Sequence, residues 1–137
     1  MDVRPSQHWT PADRLNVARL IVDPKTNGGM DTGANVDTVA HNLPPDSPAW
    51  GAWVDGQAVF VVGLWPFDGK RGCLHVAGDR TLNHQQHVAL VRAFLSCLDG
   101  VEVFTVTTCP ALARLARSVG FMVTGELGGV YTLERAS

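Results

Sequence analysis

Segment 84–98 restricts the fold more than any other part of this sequence, because it has the length of a helix but lacks a clear polar face. Beyond its first turn, Arg92 and Ser96 are the clear polar breaks. Apolar or small residues fill the other positions, at Val88, Ala89, Leu90, Val91, Ala93, Phe94, Leu95, Cys97 and Leu98. A helix that is apolar nearly all round is stable only when other elements cover it. We therefore predict that this helix is buried between layers of the fold.

Strands are predicted on both sides of this helix. Residues 50–54 and 58–65 are β-type segments joined by Asp55-Gly56, a dipeptide typical of tight hairpins, and 72–77 reads as a third strand. The β-branched segment 101–107 follows the helix directly. The helix therefore serves as the crossover of a β-α-β unit that begins in an antiparallel meander.

The rest of the chain is predicted to contain three further helices and a closing hairpin. Thr10 is a suitable N-cap residue for the first helix, and Gly120 is a suitable residue to end the last one. The helices are expected at 10–22, near 35–42 and at 110–120, and the hairpin strands at 121–126 and 130–133.

This order of elements predicts an α/β fold of the mixed, α+β kind. Its centre is a mostly antiparallel sheet of about six strands with helices on both faces, because the order lacks the regular alternation of a doubly wound fold. A length of 137 residues suits one domain, 1–137.

Segment 23–49 is the least regular part of this domain. Glycines and prolines interrupt it, and it carries Asp31, Asp37, His41 and Asp46. A segment of this kind is either a solvated connection or a lining for a substrate or partner, and the sequence leaves both readings open.

Composition excludes several classes of function. The formal net charge is −2, and no cluster of Lys and Arg is present, which argues against a nucleic-acid or membrane-surface role. Cys73, Cys97 and Cys109 have no metal-ligand spacing, which suits a reducing compartment. No run of apolar residues approaches the ~20 that span a bilayer. We expect a soluble, cytoplasmic protein.

Residues 110–126 carry a resemblance to a known family. They read Pro-Ala-Leu-Ala-Arg-Leu-Ala-Arg-Ser-Val-Gly-Phe-Met-Val-Thr-Gly-Glu. This segment resembles the last helix and following strand of GNAT acetyltransferases, where an amphipathic helix ends in Gly-Phe before a strand. The element order across 50–135 matches as well, so the resemblance implies the GNAT fold.

A narrower resemblance is to the small GNAT-like proteins that short-tailed, podovirus-type phages encode beside their internal virion proteins. The shared features are the size, the Thr10-Pro11-Ala12 start of the first helix and the lack of a good cofactor motif. This resemblance implies an accessory or virion-assembly protein whose partner is a virion or host protein.

The GNAT resemblance also implies a place for acetyl-CoA, just before the buried helix. Family members carry Gln/Arg-x-x-Gly-x-Gly/Ala there, so that main-chain N–H groups and the helix N-terminus hold the diphosphate. Segment 77–86 has one glycine, and Asp79 adds a negative charge. If acetyl-CoA binds, the expected contacts are Ala77, Gly78, Arg80, Asn83, His84 and Gln85.

The catalytic residues that the resemblance implies are largely missing. Counting back from the Gly-Phe pair, the position of the family's tyrosine acid holds Ala116, and that of its common asparagine falls at about Cys109. Tyr131 is the only tyrosine and is expected in the last strand. Glu102, or an acidic residue within 31–46, is the candidate base for an amine substrate.

Two other chemistries are weaker interpretations of the same residues. Cys109 precedes Pro110 at a helix N-terminus, which favours a reactive thiolate, and His75 or His84 would have to act as its base. His84 and His87 share a helix face, but no third ligand is placed with them, so no metal is expected.

The tryptophans offer one further prediction. Trp50 and Trp53 have opposite parity in one strand and should point to opposite faces of the sheet. If one packs in the core, the other is exposed and marks a surface for a protein partner.

Two functions follow from these observations. The first is a non-catalytic protein that acts through protein–protein contacts, and it is favoured because the glycine loop and the acid are both missing. The second is a working N-acetyltransferase that moves an acetyl group from acetyl-CoA to an amine.

Overall fold

The computed structural model describes residues 1–135. Within them the chain forms seven strands and four α-helices, with a 3-10 turn at Ser6–His8. The elements are β1 (Asp2–Pro5), α1 (Pro11–Val22), α2 (Val36–Asn42), β2 (Ala49–Val54), β3 (Gln57–Phe67), β4 (Arg71–Gly78), α3 (His84–Ser96), β5 (Glu102–Thr107), α4 (Pro110–Ser118), β6 (Phe121–Leu127) and β7 (Val130–Arg135).

The strands form one sheet in the order β1-β2-β3-β4-β5-β7-β6. Neighbouring strands are antiparallel except β4 and β5, which run parallel as the β-α-β crossover requires. The mixed, mostly antiparallel sheet with helices on both faces confirms the predicted fold class.

Strand β1 is the one strand that the sequence did not predict. It has four residues, among them Arg4 and Pro5, and pairs with β2 at the edge of the sheet. A strand this short and polar has no alternation of apolar residues to reveal it. Its place depends on the neighbouring strand, and Arg4 adds a hydrogen bond of 2.9 Å from Nη1 to the Asp13 carboxylate of α1.

Two hydrophobic cores cover the two faces of the sheet. One lies under α1 and α2, and the other lies under α3 and α4. The α1 side contains Trp9, Val17, Leu20, Leu43, Trp53, Val61 and Ala77, and the α3 side contains Phe60, Val62, Leu64, Val91, Phe94, Leu115 and Leu133. Strand β3 is therefore buried on both faces, as its unbroken apolar sequence predicts.

The predicted helix starts are confirmed by their caps. Thr10 Oγ1 accepts from Asp13 N at 3.1 Å, and Asp13 Oδ2 accepts from Thr10 N at 3.0 Å, which completes a capping box at α1. Asn35 caps α2 by accepting from Asp37 N at 2.9 Å. Pro110 occupies the first turn of α4.

Helix α3 is not enclosed between layers, and that prediction is wrong. Only Val91, Phe94 and Leu95 are fully buried, while Ala89 and Ala93 are exposed. The helix packs on one face of the sheet, and its other side carries small residues that lose little when they meet water. Because alanine is counted as apolar, the sequence predicted an apolar surface all round the helix. Exposed alanines do not require a second layer to cover them.

The tryptophan prediction is half right. Trp50 packs edge-on against Phe94 at a centroid distance of 5.5 Å, and Trp53 packs edge-on against Trp9 at 6.2 Å on the opposite face. Trp53 is buried and Trp50 is half-buried. Because both faces of β2 are covered, the predicted exposure of one tryptophan is wrong, and this pair gives no evidence for a partner surface.

Candidate functional site

The sheet opens between β4 and β5. Main-chain pairing of the two strands ends at Cys73 and Phe104, and beyond that point they separate. The side chain of Thr105 crosses the opening, where Oγ1 donates to the Leu74 carbonyl at 2.8 Å in a buried hydrogen bond. The Thr105 hydroxyl thus takes the place of the main-chain hydrogen bonds between the two strands. It uses an acceptor that would otherwise be open to a ligand.

A small apolar cavity lies in this opening. Its volume is about 170 Å³, and Met30, Val76, Val91, Leu112, Leu115 and Ala116 line much of it. Ordinary small-molecule pockets measure roughly 300–1,000 Å³. The cavity has room for a small apolar group and lacks the volume of a typical cofactor pocket.

The turn between β4 and α3 is the place where the sequence put the diphosphate if acetyl-CoA binds, and several of its amides already have acceptors. Gly78 N donates to the Thr26 carbonyl at 2.8 Å, and Asp79 N donates to the Val59 carbonyl at 3.0 Å. Thr81 N donates to the Asp79 carboxylate at 2.8 Å. The amides of Gly78 and Asp79 therefore donate into the protein, and that of Thr81 is used locally within the turn.

The start of α3 is capped in the same internal way. Asn83 Oδ1 accepts from Gln86 N at 2.9 Å, and Gln86 Oε1 accepts from Asn83 N at 2.9 Å. Within residues 1–135, the amides of His84 and Gln85 have no acceptor, and both residues are exposed. The amides of Arg80 and Leu82 likewise have no acceptor within residues 1–135, so four N–H groups between β4 and the first turn of α3 are free and five are used inside the chain.

Gly78 is small for a reason unrelated to phosphate. A Cβ at this position would lie 3.0 Å from Phe60 Cδ2 and 3.1 Å from His87 Nε2. Ala77 points away from the opening and is buried in the core under α1. A bulky side chain at Gly78 would therefore disturb the packing of the sheet whether or not a cofactor binds.

Arg80 lies on the α1 side of the turn. It is exposed and lines an open groove with Arg19 and Lys25. It does not line the cavity between β4 and β5. Of the six predicted cofactor contacts, the structure brings His84, Gln85 and Asn83 together at the helix start and places Ala77 and Arg80 on the other side of the sheet.

Glu102 is not brought into the opening. It pairs with Arg71 at the beginning of β5, before the strands separate. Thr107, at the other end of β5, is five residues further on, which is about 16 Å along a strand. Glu102 instead lines an open depression with Asp99 and Glu134. The sequence suggested this base from residue type alone and could not place it along the strand.

Cys109 is the N-cap residue of α4, as one sequence interpretation held. Its N–H donates to Thr107 Oγ1 at 3.0 Å, and its side chain is half-buried beside Gly28. Within residues 1–135 the thiol forms no hydrogen bond with His75 or His84. The pair that nucleophilic catalysis needs is not assembled here.

His75 lies at the mouth of the cavity, a position that the sequence did not reveal. Its Nε2 lies 2.5 Å from the Trp65 carbonyl, so Nε2 donates the proton and Nδ1 keeps its lone pair. Desolvation lowers the pKa of His75, and the hydrogen bond to Trp65 opposes that shift. The ring is therefore neutral near pH 7, with its acceptor nitrogen free.

The irregular segment divides between the two readings that the sequence left open. Asp31, Asp37, His41 and Asp46 are exposed, as in a solvated connection. Asn27 is buried, donates from Nδ2 to the Ile21 and Met30 carbonyls at 2.8 Å each, and accepts from Met30 N at 2.8 Å. Asn27, Gly28 and Met30 line the cavity, so only the first part of the segment belongs to the site.

Of the two histidines of α3, His84 is exposed and His87 serves packing. The His87 ring stacks on Phe60 at a centroid distance of 5.0 Å, and its Nε2 is buried. Among residues 1–135, no three His, Cys, Asp or Glu side chains are grouped as metal ligands. Over the same residues, every helix is too short or too polar to cross a bilayer.

The layout defines a class of protein: a mixed sheet with helices on both faces that splays between its two parallel strands is the GNAT fold. An acyl-CoA N-acyltransferase from Pseudomonas aeruginosa superimposes with a TM-score of 0.67 at 17% identity, over 99% of this chain and 100% of that one. An acetyltransferase of the GNAT family from Streptococcus pneumoniae gives 0.67 at 12%, over 98% of each chain.

A third solved structure with the same fold is AAC(6′)-Ib in complex with ribostamycin and coenzyme A. It gives a TM-score of 0.69 at 15% identity, over 99% of this chain and 94% of that one. No family model and no curated protein matches the sequence. At these identities the similarity describes the fold, which is that of the GNAT acetyltransferases.

Proposed function

We propose that this protein is a GNAT-fold scaffold that acts by contact with a protein partner and does not transfer acetyl groups. The observation that carries the proposal is the internal use of the amides between β4 and α3. Gly78, Asp79, Thr81, Asn83 and Gln86 all donate within the chain. A diphosphate could reach these five donors only by breaking their present hydrogen bonds, which leaves it the amides of Arg80, Leu82, His84 and Gln85.

The strand opening supports the same proposal. Thr105 satisfies the Leu74 carbonyl, so this strand acceptor needs no ligand amide. The remaining cavity of about 170 Å³ is small and mostly apolar. The position of the family's acid holds Ala116, which is buried and has no proton to donate.

The class of partner follows from the narrower sequence resemblance. Small GNAT-like proteins of podovirus-type phages share the Thr10-Pro11-Ala12 start and the lack of a good cofactor motif. On that basis the partner is a virion or host protein, and the protein acts in the host cytoplasm or in the virion.

A second candidate function is N-acetyl transfer. The opening between β4 and β5 favours it, together with His75, whose free Nδ1 at the cavity mouth is placed to accept a proton from an amine. On this alternative His75 takes the role that the sequence analysis gave to Glu102.

Calorimetric titration with acetyl-CoA separates the two functions. The scaffold proposal predicts no measurable heat of binding up to millimolar cofactor. Micromolar affinity would overturn it and favour the transferase. A parallel titration with inorganic pyrophosphate tests the diphosphate without the rest of the cofactor.

The Gly78→Glu substitution is unsuitable for this test, because the new side chain would meet Phe60 and His87. A better variant is His84→Glu. It places a negative charge on an exposed residue, next to the free main-chain amides of positions 84 and 85, and it leaves the core unchanged. If acetyl-CoA binds at the helix start, His84→Glu weakens it, whereas the exposed substitution His41→Glu does not.

A further inference from the structure

An open groove on the α1 side of the sheet collects three positive charges. Its volume is about 740 Å³. Arg19 comes from α1, Lys25 from the turn that follows it, and Arg80 from the turn between β4 and α3. We call this surface the cationic groove. The three side chains come from separate segments and meet only in the folded protein.

The cations of the groove are free, in contrast to several others in the molecule. Arg4 and Arg71 form ion pairs with carboxylates, and Arg14 donates to main-chain carbonyls at the end of α2. Within residues 1–135, the charged groups of the groove's three cations have no ion pair and no hydrogen bond. All three residues are exposed.

Two carboxylates also line the groove, and both are committed to main-chain amides. Asp23 Oδ1 accepts from Lys25 N at 2.9 Å, and Asp79 Oδ1 accepts from Thr81 N at 2.8 Å. Both aspartates are half-buried, while the cations extend into solvent. The groove therefore presents positive charge at its rim, with three cations against two acids that are already hydrogen-bonded.

The segments that carry these cations are tied together. Thr26 links them: its Oγ1 donates to the Leu20 carbonyl at 2.6 Å, and its carbonyl accepts from Gly78 N at 2.8 Å. Leu20 and Ala58 form a buried apolar floor. A preformed groove of this kind loses little entropy when a ligand enters.

We propose that the cationic groove binds an acidic peptide segment of a protein partner. The proposal rests on the contact function proposed above and names the chemistry of the contact. A peptide fits better than a single phosphate, because the cations come from three segments and the nearby amides of Gly78, Asp79 and Thr81 are occupied. A nucleic-acid strand fits less well, because two carboxylates share the groove and the chain carries a net charge of −2.

The direct test is fluorescence anisotropy with a labelled ten-residue peptide of alternating Glu and Leu, at low salt where surface charges act strongly. The groove variant is Arg19→Gln, Lys25→Gln, Arg80→Gln. The matched control is Lys70→Gln, Arg114→Gln, Arg117→Gln, which removes the same charge from exposed positions elsewhere. We expect the groove variant to weaken binding at least tenfold and the control less than twofold.

Two results would overturn the proposal: absence of peptide binding to the natural protein, or equal weakening in both variants, which would indicate general charge attraction. A ten-nucleotide oligothymidine probe adds a third arm. If it binds as tightly as the peptide and depends on the same three residues, the groove is a general polyanion site and the peptide assignment is wrong. These outcomes do not depend on the acetyl-CoA titration, so failure of either proposal is recognised separately.

Discussion

The hydroxyl of Thr105 donates a hydrogen bond of 2.8 Å to the carbonyl of Leu74, one residue beyond the last main-chain pair of β4 and β5. The two strands diverge there, so a side-chain hydrogen bond links them where main-chain hydrogen bonds are no longer formed. The Leu74 carbonyl is thereby satisfied in the free protein. This contact and the capping box of Asn83 and Gln86 both satisfy main-chain groups with side chains of the same molecule.

The first prediction concerns this contact. Thr105→Val keeps the shape of the side chain but leaves the buried Leu74 carbonyl without its donor. We expect the free energy of unfolding to fall by about 1–3 kcal/mol, measured by urea denaturation. Thr124→Val is the control, because Thr124 Oγ1 forms a long, exposed contact of 3.4 Å with the Thr132 carbonyl. Equal stability of the two variants would contradict the role assigned to Thr105.

The second prediction concerns Asn27, which holds the first part of the irregular segment against the sheet. Asn27→Ala removes three buried hydrogen bonds of 2.8 Å and should lower the free energy of unfolding by about 2–3 kcal/mol. Asn16→Ala is the control, since Asn16 makes one bond of 3.2 Å on the exposed side of α1. A loss as small as that of Asn16→Ala would mean that the segment is held by other contacts.

The third prediction concerns Gly78. Gly78→Ala brings a Cβ to 3.0 Å from Phe60 and 3.1 Å from His87, closer than van der Waals contact allows. Overpacking of this kind costs about 1–3 kcal/mol, which a thermal melt should show as a lower midpoint. Gly125→Ala is the control, because its nearest neighbour atom would be 3.8 Å away at Thr132. If the glycine serves only phosphate binding, Gly78→Ala would leave stability unchanged.

The fourth prediction concerns pH. Desolvation lowers the pKa of His75 and of His87 below the usual 6.5, and for His87 the charge of His84 adds to the shift while Asp79 opposes it. The unfolded chain therefore binds protons on these side chains before the folded protein does. Stability should be fully present above about pH 7 and should fall as the pH drops through 6.5.

Urea denaturation at pH 7.5, 6.5 and 5.5 measures this slope. His87→Leu should reduce it, because the variant removes one group that must stay neutral in the folded protein, while the exposed substitution His41→Leu should leave it unchanged. A free energy of unfolding that is constant from pH 7.5 to 5.5 would show that both rings accept protons without loss of packing.

Much of the fold could be predicted from local patterns. The Asp55-Gly56 hairpin, the Thr10 cap and the β-branched strand before Pro110 depend on neighbours in sequence, and the structure has each of them. Strand β1 was missed because its pairing depends on β2, which lies more than 40 residues away. The burial of α3 was overestimated because small residues such as Ala93 are compatible with both core and solvent.

The site was less predictable than the fold. Residue type suggested Glu102 as a base, but the position of a side chain along a splayed strand depends on where pairing ends, and no local pattern encodes that. His75 was considered only as a possible base for Cys109, and its place at the mouth of the cavity could not be predicted for the same reason. The gathering of Arg80 with Arg19 and Lys25 is likewise invisible in the sequence, because more than 50 residues separate Arg80 from the other two.

By itself, the amino-acid sequence determined the order of helices and strands, the apolar strand at the centre of the sheet and the identity of the residues at the positions that the GNAT resemblance implies for glycines and a tyrosine. These depend on propensity, periodicity and residue identity, which are local properties. The tertiary structure alone decided that the amides of Gly78 and Asp79 donate to Thr26 and Val59, that Thr105 bridges the strand opening and that Arg80 shares a groove with Arg19 and Lys25. Each of these depends on distances between residues remote in the chain, which only packing sets.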